Sequence, residues 1–484
     1  FKSIGDFGFF SFLVLALALY RPGWFFLFFI GTVALESVTL APQYLGFNLR
    51  PYQLLGGAAL IALIVRFAVG RLSFSLAKMQ WADYFLGAMV LGGALSAINA
   101  YDTLLSARLV MISGALFMLY LLCRNYLPKE KDLTKVIPFF LSSAVIIVLY
   151  GLWQNIRFMQ GFSHFEIMSG RPNSTFMEPD WLGMYLIFLI ALIYSLIGYF
   201  NIVSKNNLPI IPKFKLLNLF LFIFLTLVYI LLILTVSRSA WLGAFFVTLM
   251  FLFIVLTELK LNLKTWKWRI FLKYGAGIGA SLGISVIVVY MFSLTSFQLF
   301  NRVQSTMSGL QKITLACPAN LDVSYPKEIK DLSEVTKYGC RHINLENIKE
   351  EEKNGSLIVE VMRPDPNMNI RKANYQKSWN AIKEHPVLGI GWGSIGKVLG
   401  NDERGATLNS SNIFLEVWLG AGMLGFLAFV GFLGLISIKA ISNFSREEGL
   451  KKYVGLFVIL GMTGFIITNL FNAGIFLGII YVFF

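Results

Sequence analysis

Charged residues are scarce in this chain of 484 residues, where Asp, Glu, Lys and Arg together make up 14% and hydrophobic residues make up 57%. The mean hydropathy of +0.69 excludes a water-soluble protein of this length, because a soluble core cannot bury so much apolar surface. Histidine occurs only three times, and no cluster of residues has the spacing of metal ligands. We therefore expect the bilayer to be the solvent, and we expect no metal ion.

Long apolar runs without strand-like alternation recur along the chain, which indicates membrane-spanning helices and not a barrel. We interpret as spans residues 7–20, 24–41, 51–70, 82–99, 104–123, 135–158, 181–200, 215–236, 239–257, 269–295, 411–439 and 452–470, and one more could begin at 471. The first two are short and could be tilted, re-entrant or one broken element. The sequence thus predicts an all-α polytopic membrane protein of about 12 transmembrane helices.

The formal net charge of +15 raises the question of a nucleic-acid partner, but the basic residues lie in every second loop. Basic clusters fall at 66–78, 124–135, 205–215, 260–273 and 439–452. The loops between them are 42–50, 98–103, 159–180, 237–239 and 297–410, and the short ones are poor in Lys and Arg. The positive-inside rule places these loops outside the cytoplasm. The charge therefore reflects topology, and we expect no nucleic-acid partner.

This pattern divides the chain into three parts. Residues 1–296 form transmembrane helices with an outer loop at 159–180, and residues 411–484 form the C-terminal transmembrane helices. Residues 297–410 are rich in charge, Pro, Asn and Gly, and they are too long for an ordinary connection, so we expect an extracytoplasmic loop domain.

The loop domain shows signs of a small α/β insert. Ile329, Leu332 and Val335 have helical spacing, and 357–362 is typical of a short strand. Cys317 and Cys340 both lie in this loop, where an oxidising compartment permits a disulfide, although spacing alone leaves the pairing open.

Residues 371–384 follow this insert and place Tyr375, Trp379 and Ile382 on one helical face. Such a helix suits the membrane surface, and packing against the insert is equally compatible with the pattern.

Two polar segments interrupt the apolar background on the predicted outer side. Arg171–Gly183 directly precedes a span and contains several polar and acidic residues. Thr235–Ala240 places Arg238 among about 40 apolar residues, where a guanidinium is costly unless an anion or a watery cavity receives it. Arg238 could instead extend to the interface at a tight helical hairpin, and both interpretations stay open.

A glycine-rich segment, His385–Gly393, is followed by Asn409–Gly425 entering the next span. We reject a nucleotide-binding loop, because no strand precedes the glycines and nucleotides are not available outside the cytoplasm. We expect Gly389, Gly391 and Gly393 to shape a tight turn, and Gly422 and Gly425 to permit close helix packing.

In this order and topology the segments resemble the O-antigen ligase superfamily, which includes lipopolysaccharide O-antigen ligases, polysaccharide polymerases and bacterial O-oligosaccharyltransferases. Arg171 and the residues after it are similar to the family's outer loop, and Ser237-Arg-Ser239 is similar to its buried SR step. His385-Pro through Gly393 is similar to its HP-x-x-G-x-G segment. Asn412, nine residues and then Gly422-x-x-Gly425 are similar to its signature His-Asn, nine residues, Gly-x-x-Gly.

The resemblance implies a GT-C-like fold and a metal-independent glycosyltransferase that needs no cofactor. Its partners would be an undecaprenyl-diphosphate-linked glycan donor, a glycan, lipid or protein acceptor with a hydroxyl group, and membrane lipids. The location would be the bacterial inner membrane, with the active site facing the periplasm or cell exterior. Guanidinium groups stabilise a leaving diphosphate through charge-assisted hydrogen bonds, and our candidates are Arg171 and Arg238, with Arg302 as a weaker third.

The chain departs from the family at the catalytic base. Ser411 stands where the signature histidine is expected, and a neutral hydroxyl is a poor base near pH 7. We expect a carboxylate to replace it, Glu178 or Asp180 ahead of Glu416, with His164 as a further option. Assistance by no base, or an inactive copy, stays open.

His385 stands at the family's His-Pro position, where shaping of the chain before the glycine turn is the better explanation. A polysaccharide polymerase of the same superfamily would share the donor arginines. A lipid or polysaccharide transporter is a second alternative, although it would place charges near the bilayer midplane in repeated halves. A non-catalytic receptor or scaffold is a third.

Overall fold

A computed structural model of the chain describes residues 1–72, 74–163, 165–168, 170–206, 212–260, 262–295, 299, 309–318, 328–330, 333–343, 348–401 and 407–483. Before the loop domain, this part of the chain forms helices α1 Ile4–Tyr20, α2 Pro22–Thr32, α3 Pro51–Ala68, α4 Trp81–Ala97, α5 Thr103–Tyr126, α6 Glu130–Met159, α7 Pro179–Asn206, α8 Pro212–Leu234, α9 Arg238–Thr257 and α10 Trp268–Met291. The last three helices of the chain are α15 Ile413–Arg446, α16 Gly449–Asn469 and α17 Gly478–Phe483.

Within the described ranges, nine helices are long and apolar enough to cross a membrane, namely α3, α5 to α10, α15 and α16. The helices α1 and α4 have 17 residues each and α2 has 11. Pro22 begins α2 one residue after α1 ends, and both helices pack against α3. A mostly helical polytopic membrane protein is therefore confirmed, while the number of about 12 spans and the GT-C likeness stay predictions.

Helix α7 is the centre of the bundle. In its most apolar 18-residue window, 94% of the residues are buried, and it packs against α8, α9 and α16. Glycines allow this close approach, since a Cβ on Gly464 would lie 2.3 Å from a methyl group of Ile187. The first turn of α7 carries Asp180, so the most enclosed helix fixes an acidic side chain at one end of the bundle.

The loop domain contains a three-stranded antiparallel sheet in the order β2-β1-β3, made of β1 Leu310–Pro318, β2 Arg341–Ile343 and β3 Ser356–Pro364. Two short helices, α11 Ser333–Thr336 and α12 Ile348–Lys353, accompany it. The sheet's inner face packs with residues near α11 into a small apolar core.

That core confirms the predicted α/β insert. Ile329 and Val335 are buried in it, and Leu332 lies outside the described residues. Cys317 and Cys340 form a disulfide bond within it. The predicted strand at 357–362 is β3.

The predicted helix at 371–384 is confirmed as α13, Pro366–Glu384. It packs against the short helix α14, Ile395–Leu399, and against α15. Its residue Ile382 belongs to the same apolar core as the membrane helices, so the bundle is its main packing partner. Trp379 stays 46% exposed and meets the ring of Trp418 edge-on.

Candidate active site at one end of the helix bundle

The turn between α8 and α9 brings two polar segments together. Val236 has a positive φ of 52°, which reverses the chain tightly, and Ser237 is the N-cap of α9. Arg171, from the loop before α7, donates a hydrogen bond from Nε to the Thr235 carbonyl at 2.8 Å. The side chain of Arg171 is therefore attached three residues before Arg238.

Asp180 joins these segments into one network. Its Oδ1 lies 3.6 Å from Nη2 of Arg171, and the hydroxyl of Ser237 donates a hydrogen bond to the same oxygen. The position of Asp180 in the first turn of α7 also suits a carboxylate, because the helix macrodipole is positive there.

Arg238 is the first residue of α9 and forms an ion pair with Asp365, at 2.6 Å between Nη1 and Oδ2. The Arg238 side chain is 16% exposed and that of Asp365 only 2%. Asp365 lies between β3 and α13, flanked by Pro364 and Pro366, and its carbonyl accepts from the backbone N–H of Met368. Arg238 thus faces the loop domain in a partly buried pair, so extension to the interface does not describe it.

Arg371, in the second turn of α13, is a third guanidinium at this end. Loss of hydration and then the like charge of Arg238 lower the pKa of Arg371, while Tyr375, Asp180 and Asp365 oppose the shift. Its guanidinium carbon lies 5.6 Å from the centre of the Phe471 ring. Three arginines therefore share this region with two aspartates, which leaves an excess of positive charge.

Tyr375 connects this charged region to the start of α15. Its hydroxyl donates to the carbonyls of Leu470 at 2.6 Å and Ser411 at 3.3 Å. Burial raises the pKa of Tyr375. Asn412 caps α15 through its side-chain oxygen, which accepts from the backbone of Phe414, and its Nδ2 donates to Leu470 at 3.4 Å. The motif positions Ser411 and Asn412 therefore border the arginine cluster.

Glu416 is directed differently. It is 8% exposed, and its Oε2 accepts the backbone N–H of Ser410 at 2.8 Å. This hydrogen bond shapes the turn before α15, in agreement with a residue that faces the bundle interior and is satisfied there.

Glu178 lies next to Asp180 and Arg171 on the exposed surface of the outer loop. The surrounding protein still removes part of its hydration, and this burial raises the pKa of Glu178. The charge of Asp180 raises it further, whereas Arg171 lowers it. A carboxyl with a raised pKa is better matched to proton transfer near neutral pH.

The glycine-rich segment has a structural role. Helix α15 is broken at Gly422, where φ is 65° and ψ is −171°. The backbone N–H groups of Ile390 and Gly391 donate to the Leu419 carbonyl, and Met423 donates to Val387, so the turn satisfies the broken helix.

The contacts are too close for side chains. A Cβ on Gly389 would lie 2.5 Å from the Leu419 oxygen, and one on Gly422 would lie 2.4 Å from the Val387 oxygen. A Cβ on Gly92 of α4 would lie 2.7 Å from the nitrogen of Gly425. The predicted tight turn and close helix packing are confirmed, and His385 precedes the turn.

Arg302 and His164 lie outside the described residues. In the part of the chain that the structure covers, no three His, Cys, Asp or Glu side chains are grouped to hold a metal ion. Sequence reasoning missed Asp365 and Arg371. The only available signal was Asp365 between two prolines and Arg371 at the start of an amphipathic helix.

Residues 220–430 match the family model described as O-antigen ligase. No curated protein and no solved structure matches the chain. The matched range contains Arg238, Asp365, Arg371 and the glycine turn, whereas Arg171, Glu178 and Asp180 precede it. Through the domain at residues 220–430, this multi-pass membrane chain is assigned to the O-antigen ligase superfamily of glycosyltransferase-like enzymes.

Proposed function

We propose that the chain transfers a saccharide from undecaprenyl diphosphate to an acceptor hydroxyl, in the manner of an O-antigen ligase. The observation that carries this proposal is the gathering of Arg171, Arg238 and Arg371 around Asp180 and Asp365 at one end of the bundle.

The arginines would stabilise the leaving group. When the bond between the anomeric carbon and the phosphate oxygen breaks, its electron pair stays on the diphosphate, and the added negative charge needs donors that are already in place. Arg171 and Arg238 each face a carboxylate, so the diphosphate has to share or replace Asp180 and Asp365 as their partner. A diphosphate carries more negative charge than one carboxylate and accepts several guanidinium hydrogen bonds, which favours this exchange.

A carboxylate would take the proton of the acceptor hydroxyl as the acceptor oxygen bonds to the anomeric carbon. Asp180 already accepts from Ser237 and pairs with Arg171, so Glu178 is our first candidate for the base. The hydroxyl of Ser411 would orient the acceptor. Glu416 is engaged by Ser410 and is the weakest carboxylate candidate.

A polymerase of the same superfamily would use this donor site with a second lipid-linked glycan as acceptor. The insert around 313–370 connects to the site through Asp365, and this position supports a role in acceptor choice. Exchanging the insert between related chains should change the acceptor used, and an unchanged acceptor would remove the idea.

The test is transfer from synthetic undecaprenyl diphosphate glycan by the purified chain in nanodiscs. We expect Arg171→Gln, Arg238→Gln and Arg371→Gln each to lower the rate roughly 100-fold to 1,000-fold, the usual effect of removing one preorganised donor to a developing anion. Arg157→Gln is the matched control, because Arg157 lies at the same end of the bundle but stacks on Trp153 and Phe162.

Wild-type rates in properly folded Arg171 and Arg238 variants would refute the assignment. Retention of donor binding without any transfer would instead favour a transporter or receptor.

The site is proposed to face the periplasm or cell exterior of the inner membrane, as the basic loops at the other end of the bundle indicate. A cysteine introduced at Glu384, which is exposed on α13, should react with a membrane-impermeant maleimide in intact cells. One introduced at Lys78 should react only after permeabilisation, and the reverse pattern would invert the topology.

A further inference from the structure

A cavity of about 490 Å³ lies at the opposite end of the bundle from the arginine cluster. It forms where α1 ends and α2 begins, between the C-terminal ends of α3 and α5 and the first turns of α6. This end carries the basic loops that the positive-inside rule places in the cytoplasm. The volume falls within the range of small-molecule and cofactor sites.

Cations dominate the lining. Arg21, Arg66 and Lys135 face one acidic residue, Asp132, which is 3.7 Å from Lys135. Arg66 also donates to the last carbonyls of α1, including that of Leu19 at 2.9 Å, so it holds the wall in place. The site therefore suits an anion.

An apolar rim adjoins these cations. Phe26 and Tyr126 line the cavity and stack on each other, with ring centres 4.7 Å apart. Trp24 also lines it, is 53% exposed, and contacts Phe28 one turn further along α2, which is 44% exposed. An exposed aromatic stripe thus leads from the charged cavity along a helix of the membrane bundle.

A cationic cavity that opens onto an apolar helical surface fits a ligand with both characters. We infer that it binds the phosphate-bearing headgroup of an anionic membrane lipid, with Arg21 and Lys135 contacting the phosphate and the acyl chains lying along Trp24 and Phe28. A soluble phosphate ester would use the cations but not the stripe. Basic pockets between helices on the cytoplasmic side are a known means of headgroup recognition.

The experiment measures lipid binding to the delipidated full chain in detergent by native mass spectrometry, with phosphatidylglycerol, phosphatidylcholine and sn-glycerol 3-phosphate as probes. We expect phosphatidylglycerol to bind most tightly. Arg21→Gln combined with Lys135→Gln should weaken it about 30-fold, from roughly 1 kcal/mol for each cation removed near a membrane surface.

The control pair Arg71→Gln and Lys78→Gln removes the same charge from the same end of the bundle without touching the cavity. We expect this pair to bind phosphatidylglycerol as the wild type does. Equal weakening in both pairs, or no preference over phosphatidylcholine, would overturn the inference. Binding of sn-glycerol 3-phosphate as tightly as the lipid would replace it by a soluble phosphate ligand. None of these outcomes depends on the proposed transferase activity.

Discussion

The ion pair between Arg238 and Asp365 allows substrate binding to be separated from structural stabilisation. The two side chains are 2.6 Å apart, and the carboxylate is only 2% exposed while the guanidinium is 16% exposed. Removing one partner from a buried pair costs roughly 3 to 5 kcal/mol, and partial solvent access of Arg238 places this site near the lower limit. The changes to compare are Arg238→Gln, Asp365→Asn and the double variant.

The two single changes should differ in stability. Arg238→Gln leaves the carboxylate of Asp365 buried without its guanidinium partner, so we expect a loss of about 3 kcal/mol in the free energy of unfolding. Asp365→Asn leaves a more accessible guanidinium that water and substrate can reach, so its loss should be smaller. The double variant removes both charges and should regain most of the lost stability.

Activity should follow a different order. Arg238→Gln removes a donor to the leaving diphosphate and should lower the single-turnover transfer rate about 100-fold or more, whereas Asp365→Asn keeps that donor and should lose less than about tenfold. The double variant should be stable and still slow. The assays are thermal unfolding in detergent and transfer from the synthetic donor at saturating acceptor. A double variant that recovers its rate together with its stability would show that Arg238 only holds the loop domain in place.

Gly422→Ala should destabilise the chain by about 2 kcal/mol or more, because a left-handed conformation costs a side chain about 1–2 kcal/mol and the new Cβ would lie 2.4 Å from a carbonyl oxygen. Gly434→Ala on the same helix, with no heavy atom within 4 Å of the added Cβ, should leave the melting temperature unchanged or slightly raised. Burial and the neighbouring aspartate raise the pKa of Glu178, so a transfer that needs its carboxylate should speed up with rising pH through a midpoint above the usual value of about 4.3. Glu178→Gln should abolish that acidic limb, and a persisting limb would assign the base elsewhere. Replacing Cys317 and Cys340 by serine removes a cross-link over a separation of 23 residues, worth roughly 3 kcal/mol, and should accelerate limited proteolysis of the insert; unchanged proteolysis would contradict this.

Hydropathy and charge placement were sufficient to predict the helical bundle and to place Arg171 and Arg238 at the same end, because each lies beside a span boundary on the same side. Asp365 could not be found in this way. It meets Arg238 across 127 residues of sequence, and that contact depends on how the insert folds back onto the bundle. Arg371 was missed for a related reason, since its helix packs against the membrane helices and its pattern was equally compatible with other surfaces.

The broken helix illustrates the same limit. The sequence indicated that Gly422 permits close packing, but the backbone conformation that interrupts α15 is not visible in the hydrophobic pattern. Periodicity reports which face is apolar, and it does not report where a backbone hydrogen bond is exchanged for one to another segment.

The break in α15 also bears on biogenesis. A membrane helix interrupted in mid-course presents amides and carbonyls that lipid cannot satisfy. The groups that satisfy them, around Val387 and Ile390, and the α4 surface at Gly92 all come earlier in the chain. Ribosomal synthesis therefore delivers these partners to the membrane before α15 leaves the translocon. Helix α15 can insert straight into a prepared groove, so its defect need never be exposed to lipid.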